Sequence, residues 1–326
     1  MRAEMEGPAG WQISDLLDFK PEHLETLLTE ETADWAQELD WDYSPSADLV
    51  RALIAARRIG GAALLDHGEV ACYGYIGLDG QKGLVADVYV RRAWRGGAAE
   101  ATLLRALFDR LICLPAVTRI EAQLMLVGAA AAKTLECERG VHLFQRALMT
   151  LDSDMCPTPD EPRLNRDFRI ERWTDQHLHA AAEIISRAYH GQIDALIHDR
   201  YRTVAGAERF LHELIQFPGA CFRGPASWIA FEGGAGSPVG FSLAGFVARD
   251  VGHIAELCVT PEGSGAGLGQ ALLARSLHAL YKSGANRISL AVSLGNERAL
   301  RLYRRFGFRE KRGFYAYVWE RPGERS

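Results

Sequence analysis

The sequence predicts an α/β protein built from two tandem copies of one order of strands and helices. Its 326 residues suit two domains of about 150 residues each. The segment 152–167 contains three prolines and several charges but little apolar content, which is typical of a linker. Strand and helix patterns follow in the same order on both sides of that segment.

The first half, residues 10–151, opens with a short strand at 11–17 and two helices near 21–40 and 46–58. Apolar runs then predict strands, and apolar residues three and four positions apart predict helices. These later elements are strands at 61–68, 70–79, 84–92, 117–127 and 142–152, with helices at 98–111 and 129–138.

The second half, residues 168–322, repeats this order. Its predicted strands are 168–173, 227–233, 239–249, 253–261, 287–294 and 314–320, and its predicted helices are 175–190, 206–216, 267–284 and 296–307. Two segments of the halves align without gaps: 86–104 with 255–273, and 128–141 with 295–308. Internal repetition on this scale predicts a duplicated domain.

Composition narrows the classes of function. The formal net charge of −5 gives no electrostatic case for nucleic-acid binding. No apolar run approaches the length of about 18 residues that a membrane span needs, and the N-terminal stretch does not resemble a signal peptide. Six scattered cysteines without CxxC spacing favour reduced thiols over disulfides or zinc. We therefore expect a cytoplasmic protein with no metal, no nucleic-acid partner and no membrane association.

The stretch VTPEGSGAGLGQALL, residues 259–273, places four glycines in seven positions between a strand and a helix. The first N–H groups of a helix have no partner within it, and glycines let an anion approach them closely. The stretch therefore predicts a phosphate cradle, with a flexible turn that binds nothing as the alternative. It matches neither a P-loop, which ends in GK[ST], nor the G-x-G-x-x-G fingerprint.

Two motifs together resemble the GCN5-related N-acetyltransferase (GNAT) family. The first is V-x-P-x-x-x-G-x-G-x-G at 259–269, and the second is N-x-x-A-x-x-x-Y-x-x-x-G-F at 296–308. The resemblance is strongest over 250–319 and looser over 168–320. It implies two tandem GNAT-like domains, each a central mixed, mostly antiparallel sheet flanked by helices.

The resemblance also implies acetyl-CoA as co-substrate. Backbone N–H groups at 265–270 would hold its pyrophosphate, and the strand near 257–259 would pair with its pantetheine arm. The implied cofactor-binding residues are Leu257, Cys258, Val259, Ser264, Gly265, Ala266, Gly267, Leu268, Gly269, Gln270, Asn296, Ala299 and Tyr303. The family usually has Gln or Arg where Ser264 stands, which implies weaker affinity for the cofactor.

Acetyl transfer to an amine needs a base, because an alkyl ammonium has a pKa of about 10.4. The resemblance places a base at His253, six residues before Val259, and Glu256 is the second candidate. An ordinary histidine pKa near 6.5 would leave His253 mostly neutral at pH 7. Tyr303 stands where the family has the acid that protonates the leaving thiolate. Each of these residues also has a purely structural alternative: His253 as a solvent-facing histidine at a strand end, Glu256 as a structural carboxylate, and Tyr303 as a tyrosine packed on its helix. Asn296 is expected to cap its helix.

The first half lacks these residues. In the gapless alignment Ala98 and Glu100 replace Gly267 and Gly269, and a carboxylate repels phosphate. Leu84, Ala129 and Glu136 replace the histidine, asparagine and tyrosine of the second half. We therefore interpret residues 10–151 as a degenerate copy that shapes the substrate cleft or supports the active half.

The favoured function is an acetyl-CoA-dependent N-acetyltransferase that uses its C-terminal domain on a primary amine, either a small molecule or a peptide. One alternative is a non-catalytic acyl-CoA-binding regulatory protein, and another is a protein N-terminal or lysine acetyltransferase. The acidic residues of 38–48 and 192–199 are expected to form a solvated face, although they could attract a cationic amine. The chain is expected to be a monomer or a homodimer.

Overall fold

The computed structural model describes residues 11–153, 164–216, 225–233 and 236–323. Most of the predicted linker, 154–163, lies outside the described residues, as do Cys156 and Cys221. The chain divides into two compact units. The first comprises Met1–Glu38, Tyr43–Arg146 and Gly313–Ser326, and the second comprises Leu39–Asp42 and Ala147–Arg312.

The first unit has the strand order β1-β2-β3-β4-β5-β12. Its strands are β1 (Gln12–Asp15), β2 (Gly60–Asp66), β3 (Glu69–Asp79), β4 (Lys82–Val90), β5 (Arg119–Leu124) and the C-terminal part of β12 (Arg309–Glu320). Its helices are α1 (Pro21–Asp34), α2 (Ser44–Ala55), α3 (Ala98–Ile112) and α4 (Ala129–Arg139). Only β4 and β5 are parallel among the neighbours in this sheet; the others run antiparallel in the part of the chain that the structure describes.

The second unit repeats the plan in the order β7-β8-β9-β10-β11-β6. Its strands are β7 (Phe168–Arg172), β8 (Trp228–Glu232), β9 (Pro238–Ala248), β10 (Val251–Val259), β11 (Arg287–Ser293) and the C-terminal part of β6 (His142–Asp152). Its helices are α5 (Leu178–Ala188), α6 (Ile193–Ile197), α7 (Val204–Gln216), α8 (Leu268–Lys282) and α9 (Glu297–Arg305). The sequence predicted no element at α6, which is only five residues long.

These two sheets confirm the predicted fold class, a mixed and mostly antiparallel sheet flanked by helices. A bulge also recurs at matching positions, since the pairing of β3 with β4 skips Ala86 and the pairing of β9 with β10 skips Ala255. Residues 86 and 255 align in the gapless comparison of the halves. None of the described helices is long and apolar enough to cross a bilayer.

The closing strand of each unit comes from the other half of the chain. Residues 147–152 of β6 belong to the second unit, where Met149 and Leu151 pack in the core formed with α8. Residues 313–320 of β12 belong to the first unit, where Tyr317 and Trp319 pack in the core formed with α3. Each compact unit therefore ends with a strand that the sequence analysis places in the other half. The predicted halves, 10–151 and 168–322, remain a prediction of where the duplicated segments begin and end.

Candidate active site

Strand β10 of the second unit carries both predicted bases. In a regular strand, residues three apart point to opposite faces, because side chains alternate. The bulge at Ala255 changes this, because Glu256 pairs with Leu243 and His253 pairs with Gly245, which lie two residues apart on β9. His253 and Glu256 therefore share one face of the sheet, about 7 Å apart along the strand direction.

The two parallel strands separate beside these residues. Their pairing runs from Val251↔Arg287 to Ile254↔Leu290. Strand β10 then continues to Val259 and β11 to Ser293 without further pairing between them in the described structure. The separation leaves an opening in the sheet, where an extended ligand can pair with the main chain of β10 as an added strand does.

The glycine-rich loop follows β10 and leads into α8. Gly265 and Gly267 have φ values of +80° and +84°, the left-handed region that favours glycine. The hydroxyl of Ser264 donates to the Thr260 carbonyl at 2.9 Å, which fixes the turn. Gly263 also lacks room for a side chain, because a Cβ there would lie 3.0 Å from Val259 Cγ1 and 3.1 Å from a carbonyl oxygen.

The N-terminus of α8 suits an anion. Gly267 is its N-cap, and no described side chain caps the N–H groups of the first turn. The helix dipole adds partial positive charge at this end. A Cβ at Gly269 would make only ordinary contacts, at 3.7 Å and 3.8 Å, so packing within the protein does not demand glycine there. Gly269 instead keeps the space before the helix open.

Arg298 brings a positive charge to this loop. Its Nη1 donates to Ser264 Oγ at 2.9 Å from an exposed position on α9. Ser264 stands where the resemblance implies a longer polar side chain, and no motif in the sequence points to Arg298. The two residues are 34 positions apart, and no local spacing signal connects them.

His253 is buried and 7% exposed, which excludes a solvent-facing strand end. Ser289 donates to the Gly252 carbonyl at 3.3 Å, so His253 Nδ1 donates to Ser289 Oγ at 2.8 Å and Nε2 is the basic nitrogen. The ring of Trp41 lies 5.0 Å away. Burial lowers the pKa of His253 to about 4, well below the ordinary value assumed from sequence, so the imidazole is neutral at pH 7.

Glu256 is held by two tyrosines that no sequence motif indicates. The hydroxyls of Tyr189 and Tyr201 donate to its two carboxyl oxygens, the second at 3.0 Å, and their rings stack 4.7 Å apart. Burial, followed by the Glu256 charge, holds the pKa of Tyr189 well above its usual value, so Tyr189 stays a donor. Tyr189 lies at the C-terminal end of α5, and Tyr201 lies in the turn before α7. Together the two rings form an aromatic wall beside the carboxyl group.

Tyr303 approaches from the other side of the sheet. It packs with Phe308, ring centroids 5.9 Å apart, in the same core as Ile254. Ile254 is next to His253 on β10, so the two side chains lie on opposite faces. The Tyr303 hydroxyl can therefore act together with His253 or Glu256 only through the opening between β10 and β11.

Asn296 caps α9 as expected, accepting from the Ala299 N–H at 3.1 Å. Its amide also donates to Asp194 on α6 at 3.2 Å, and Ser293 donates to the same carboxylate at 2.7 Å. Asp194 is buried, so the expectation of a solvated acidic face over 192–199 is wrong at this residue. The carboxylate instead fixes α6 over the junction of β11 and α9.

Comparison with known proteins supports one family. Residues 195–308 match the model of the acetyltransferase (GNAT) family. The matched residues all lie in the second unit and make up about a third of the chain. An uncharacterized N-acetyltransferase of Methanocaldococcus jannaschii is 34% identical over 82 residues, which are 23% of this chain and 36% of that protein. The chain thus matches only about a third of this curated relative's length.

Solved structures show the fold over nearly the whole chain. A GCN5-related N-acetyltransferase from Sphaerobacter thermophilus has a TM-score of 0.67 at 20% identity, covering 97% of this chain and 98% of its own. A tandem GNAT protein from the clavulanic acid biosynthesis pathway has a TM-score of 0.61 at 12% identity, with 96% and 100% covered. The tandem GNAT-like arrangement predicted from sequence is therefore confirmed as a fold.

The first unit has Glu100 at the position that corresponds to Gly269 of the glycine-rich loop. Helix α3 begins at Ala98 after Gly97, and Glu100 lies buried in its first turn. The Glu100 carboxylate accepts from the Gly128 N–H at 3.2 Å, and a Cβ at Gly128 would lie 2.8 Å from it. Glu100 thus places a buried carboxylate in the first turn of α3 and bonds it to the N-cap of α4, so an external anion at the N-terminus of α3 would meet a like charge.

Proposed function

We propose that the chain transfers an acetyl group from acetyl-CoA to a primary amine, with the chemistry in the second unit. The observation that carries this proposal is the uncapped N-terminus of α8 directly after the separated strand β10. The N-terminus of α8 suits a pyrophosphate, and the unpaired edge of β10 suits an extended pantetheine arm. These two groups are adjacent in CoA, as the helix and the strand are adjacent in the chain. The GNAT family match over 195–308 supports the same assignment.

The residues present fit the co-substrate. The N–H groups of Leu268, Gly269 and Gln270 would bind the pyrophosphate, with the Arg298 guanidinium nearby. The main chain of 257–259 would pair with the pantetheine arm, and an N–H there would stabilise the negative charge that develops on the thioester oxygen. When bound, acetyl-CoA supplies an activated acetyl group.

The proposed acceptor side is the face that His253 shares with Glu256. The carboxyl group of Glu256, between Tyr189 and Tyr201, would attract and orient a cationic amine. Neutral His253 Nε2 can accept a proton from the amine, directly or through water, although its lowered pKa makes it a weak base. Glu256 and water remain the alternative bases, and Tyr303 would protonate the leaving thiolate from the opposite face.

A non-catalytic acyl-CoA-binding protein is the second candidate function. It would use the same glycine loop, and the weak basicity of buried His253 favours it. A protein N-terminal or lysine acetyltransferase would use the same chemistry on a peptide amine.

The deciding experiment incubates the full chain and acetyl-CoA with a panel of small amines, polyamines and peptides, and measures thiol release and acetylated product. Thiol release that requires one class of amine supports the proposal and identifies the acceptor. Tight acetyl-CoA binding without turnover on any amine would support the regulatory alternative instead.

A further inference from the structure

Four residues from the first half of the sequence belong to the second unit. We call them the inserted segment and define them as Leu39–Asp42. They follow the helical turn Trp35–Leu39 at the end of α1 and precede α2. The unit that carries both motifs of the candidate site therefore includes residues that lie more than two hundred positions before either motif.

Ion pairs within the second unit hold Asp40 of this segment. Arg287 Nη1 lies 3.0 Å from Asp40 Oδ2, and the Lys311 ammonium donates to the same oxygen. Asp40 has a φ of +58°, in the left-handed region, which aspartate tolerates better than most residues. Such a backbone persists where several contacts define it. The expectation of a solvated acidic face over 38–48 is therefore wrong at Asp40, whose side chain is only 16% exposed.

The next two residues dock on strand β9. The pairing of β9 with β10 shifts at Val247, which is skipped in the register. A residue skipped in this way loses its regular partner in the ladder. The Asp42 N–H donates to the Val247 carbonyl at 2.9 Å, and Trp41 packs against the buried pair Val247 and Val251. Trp41 is thus fixed by an ion-paired residue before it and a main-chain hydrogen bond after it.

The indole of Trp41 lies against the imidazole of His253. The ring centroids are 5.0 Å apart, and the planes are tilted by 43°. His253 also donates from Nδ1 to Ser289 Oγ at 2.8 Å. Its side chain is buried although the strands separate just beyond it, between β10 and β11. The indole therefore covers part of a histidine that lies next to an opening in the sheet.

Burial, rather than a neighbouring charge, sets the ionisation of His253. Strand β9 contains no ionisable residue. The ionisable residues of the other elements around His253 are Asp40 and Asp42 of the inserted segment, Glu256 and Cys258 of β10, and Arg287 of β11. Burial lowers the pKa of His253 to about 4. A group that is neutral because it is buried depends on whatever keeps water away from it.

We infer that Trp41 is a positioning residue for His253: its indole excludes water from the imidazole and restricts the ring to one orientation. The first half of the sequence thereby contributes to the proposed acceptor side. The inference rests on the proposed function only for the use that the reaction makes of His253. The state of His253 itself can be measured without turnover.

The test follows histidine protonation in the full chain by nuclear magnetic resonance, from about pH 8 to about pH 5. The His253 signal is assigned by its absence from the His253→Gln variant. In wild type it should scarcely shift over this range, because the pKa of His253 is about 4. In Trp41→Ala the midpoint should rise by at least about one unit towards the ordinary value of about 6.5. Trp41→Phe keeps a ring against the imidazole and should resemble wild type.

Turnover on an identified amine gives a separate readout. The acidic limb of the kcat/KM profile should move with the midpoint measured by resonance if His253 is the base. A limb that stays in place while the midpoint moves would support the role of Trp41 and remove His253 as the base. Failure of the proposed function and failure of this inference are thus distinguishable.

Two further variants control for a general loss of structure. Trp94→Ala removes another partly buried tryptophan, whose indole donates to Asp66 at 2.9 Å in the first unit, and should leave the His253 midpoint unchanged. Asp40→Asn weakens the ion pairs and should shift the midpoint in the same direction as Trp41→Ala, but less. Thermal melting checks that each variant folds, and a nuclear Overhauser contact between the Trp41 and His253 rings is measured in wild type. Absence of that contact, an unchanged midpoint in Trp41→Ala, or equal shifts in Trp94→Ala and Trp41→Ala would overturn the inference.

Discussion

At the scale of single residues, Gly269 separates the two units most sharply, because its counterpart in the first unit is Glu100. We expect Gly269→Glu to weaken acetyl-CoA binding at least about tenfold, since its carboxylate would compete for the N–H groups of α8. The helix itself should fold, because an acidic residue is favourable in a first turn. Calorimetric titration with acetyl-CoA measures the loss.

The matched control is Gly269→Ala, whose Cβ makes only ordinary contacts with Val259 and Leu302. It should keep the affinity within a few-fold. Wild type should bind one acetyl-CoA per chain, because Glu100 places a buried carboxylate in the first turn of α3, where it would repel a phosphate. A stoichiometry of two, or equal losses in both variants, would contradict this account.

Tyr303 gives a second test at this scale. Tyr303→Phe keeps the ring packed against Phe308 and removes only the hydroxyl. Turnover should fall by about 10²- to 10⁴-fold, as for loss of a general acid, with acetyl-CoA affinity nearly unchanged. Steady-state kinetics and calorimetry separate the two effects, and unchanged kcat would remove Tyr303 from the mechanism.

His253 links the site to stability. Its pKa is near 6.5 in the unfolded chain and about 4 in the native state, so between these values the unfolded chain binds more protons. Stability should fall as the pH drops from about 6.5 to 4, by on the order of 3 kcal/mol from this residue. Urea unfolding at several pH values should show a smaller fall in His253→Gln. Parallel curves for both proteins would disprove the linkage.

Sequence predicted the residues that lie within the two motifs, including the Asn296 cap, because their spacing is local. It missed Tyr189, Tyr201 and Asp194, whose partners are 67, 55 and 99 residues away. Polar contacts over such separations are set by tertiary packing. The two motifs, which form the proposed cofactor side, could therefore be identified from sequence, whereas the contacts around Glu256 and Asp194 could not.

At the scale of elements, the short helix α6 depends on one carboxylate. Asp194→Ala removes the acceptor of Ser293 and Asn296, and should lower the free energy of unfolding by about 1–3 kcal/mol. Glu297→Ala is the control, since its pair with Arg301 is exposed and should change stability by less than about 0.5 kcal/mol. Urea denaturation compares the two, and equal effects would argue against the proposed role of Asp194.

Most elements could be predicted, because apolar spacing of 2 or 3.6 residues marks them directly. Helix α6 is too short to show that period. The bulge at Ala255 has no signal in the stretch HIAELCVTP, yet it decides that His253 and Glu256 share a face. The order of the elements could thus be predicted from sequence, whereas the shared face of His253 and Glu256 could not.

At the scale of the whole molecule, the exchange of closing strands dictates where the chain can be cut. A fragment 163–326 contains every predicted cofactor residue but lacks β6, including Met149 and Leu151 of the second core. It also keeps Tyr317 and Trp319, which pack in the first core. We expect this fragment to be unstable or aggregated, and a fragment 147–312 to be more soluble and more cooperative in thermal unfolding. A well-folded, fully active 163–326 would contradict the exchange.

The tandem organisation was predictable because duplicated motifs remain visible in the sequence. The exchange of closing strands could not be predicted, because the alternation of apolar residues indicates which side chains of a strand face the core but not which strands pair with it. Strands β6 and β12 have the same alternation whether they close their own half or the other one.

The strand exchange has a consequence for synthesis on the ribosome. Strand β5 ends at Leu124, but its partner begins to pair only at Tyr315, about 190 residues later. At roughly 5–20 residues per second, the growing chain waits on the order of 10–40 s before the first sheet can close. During that time the edge of β5 can pair with another nascent chain. The N-terminal unit, although made first, therefore completes its fold last.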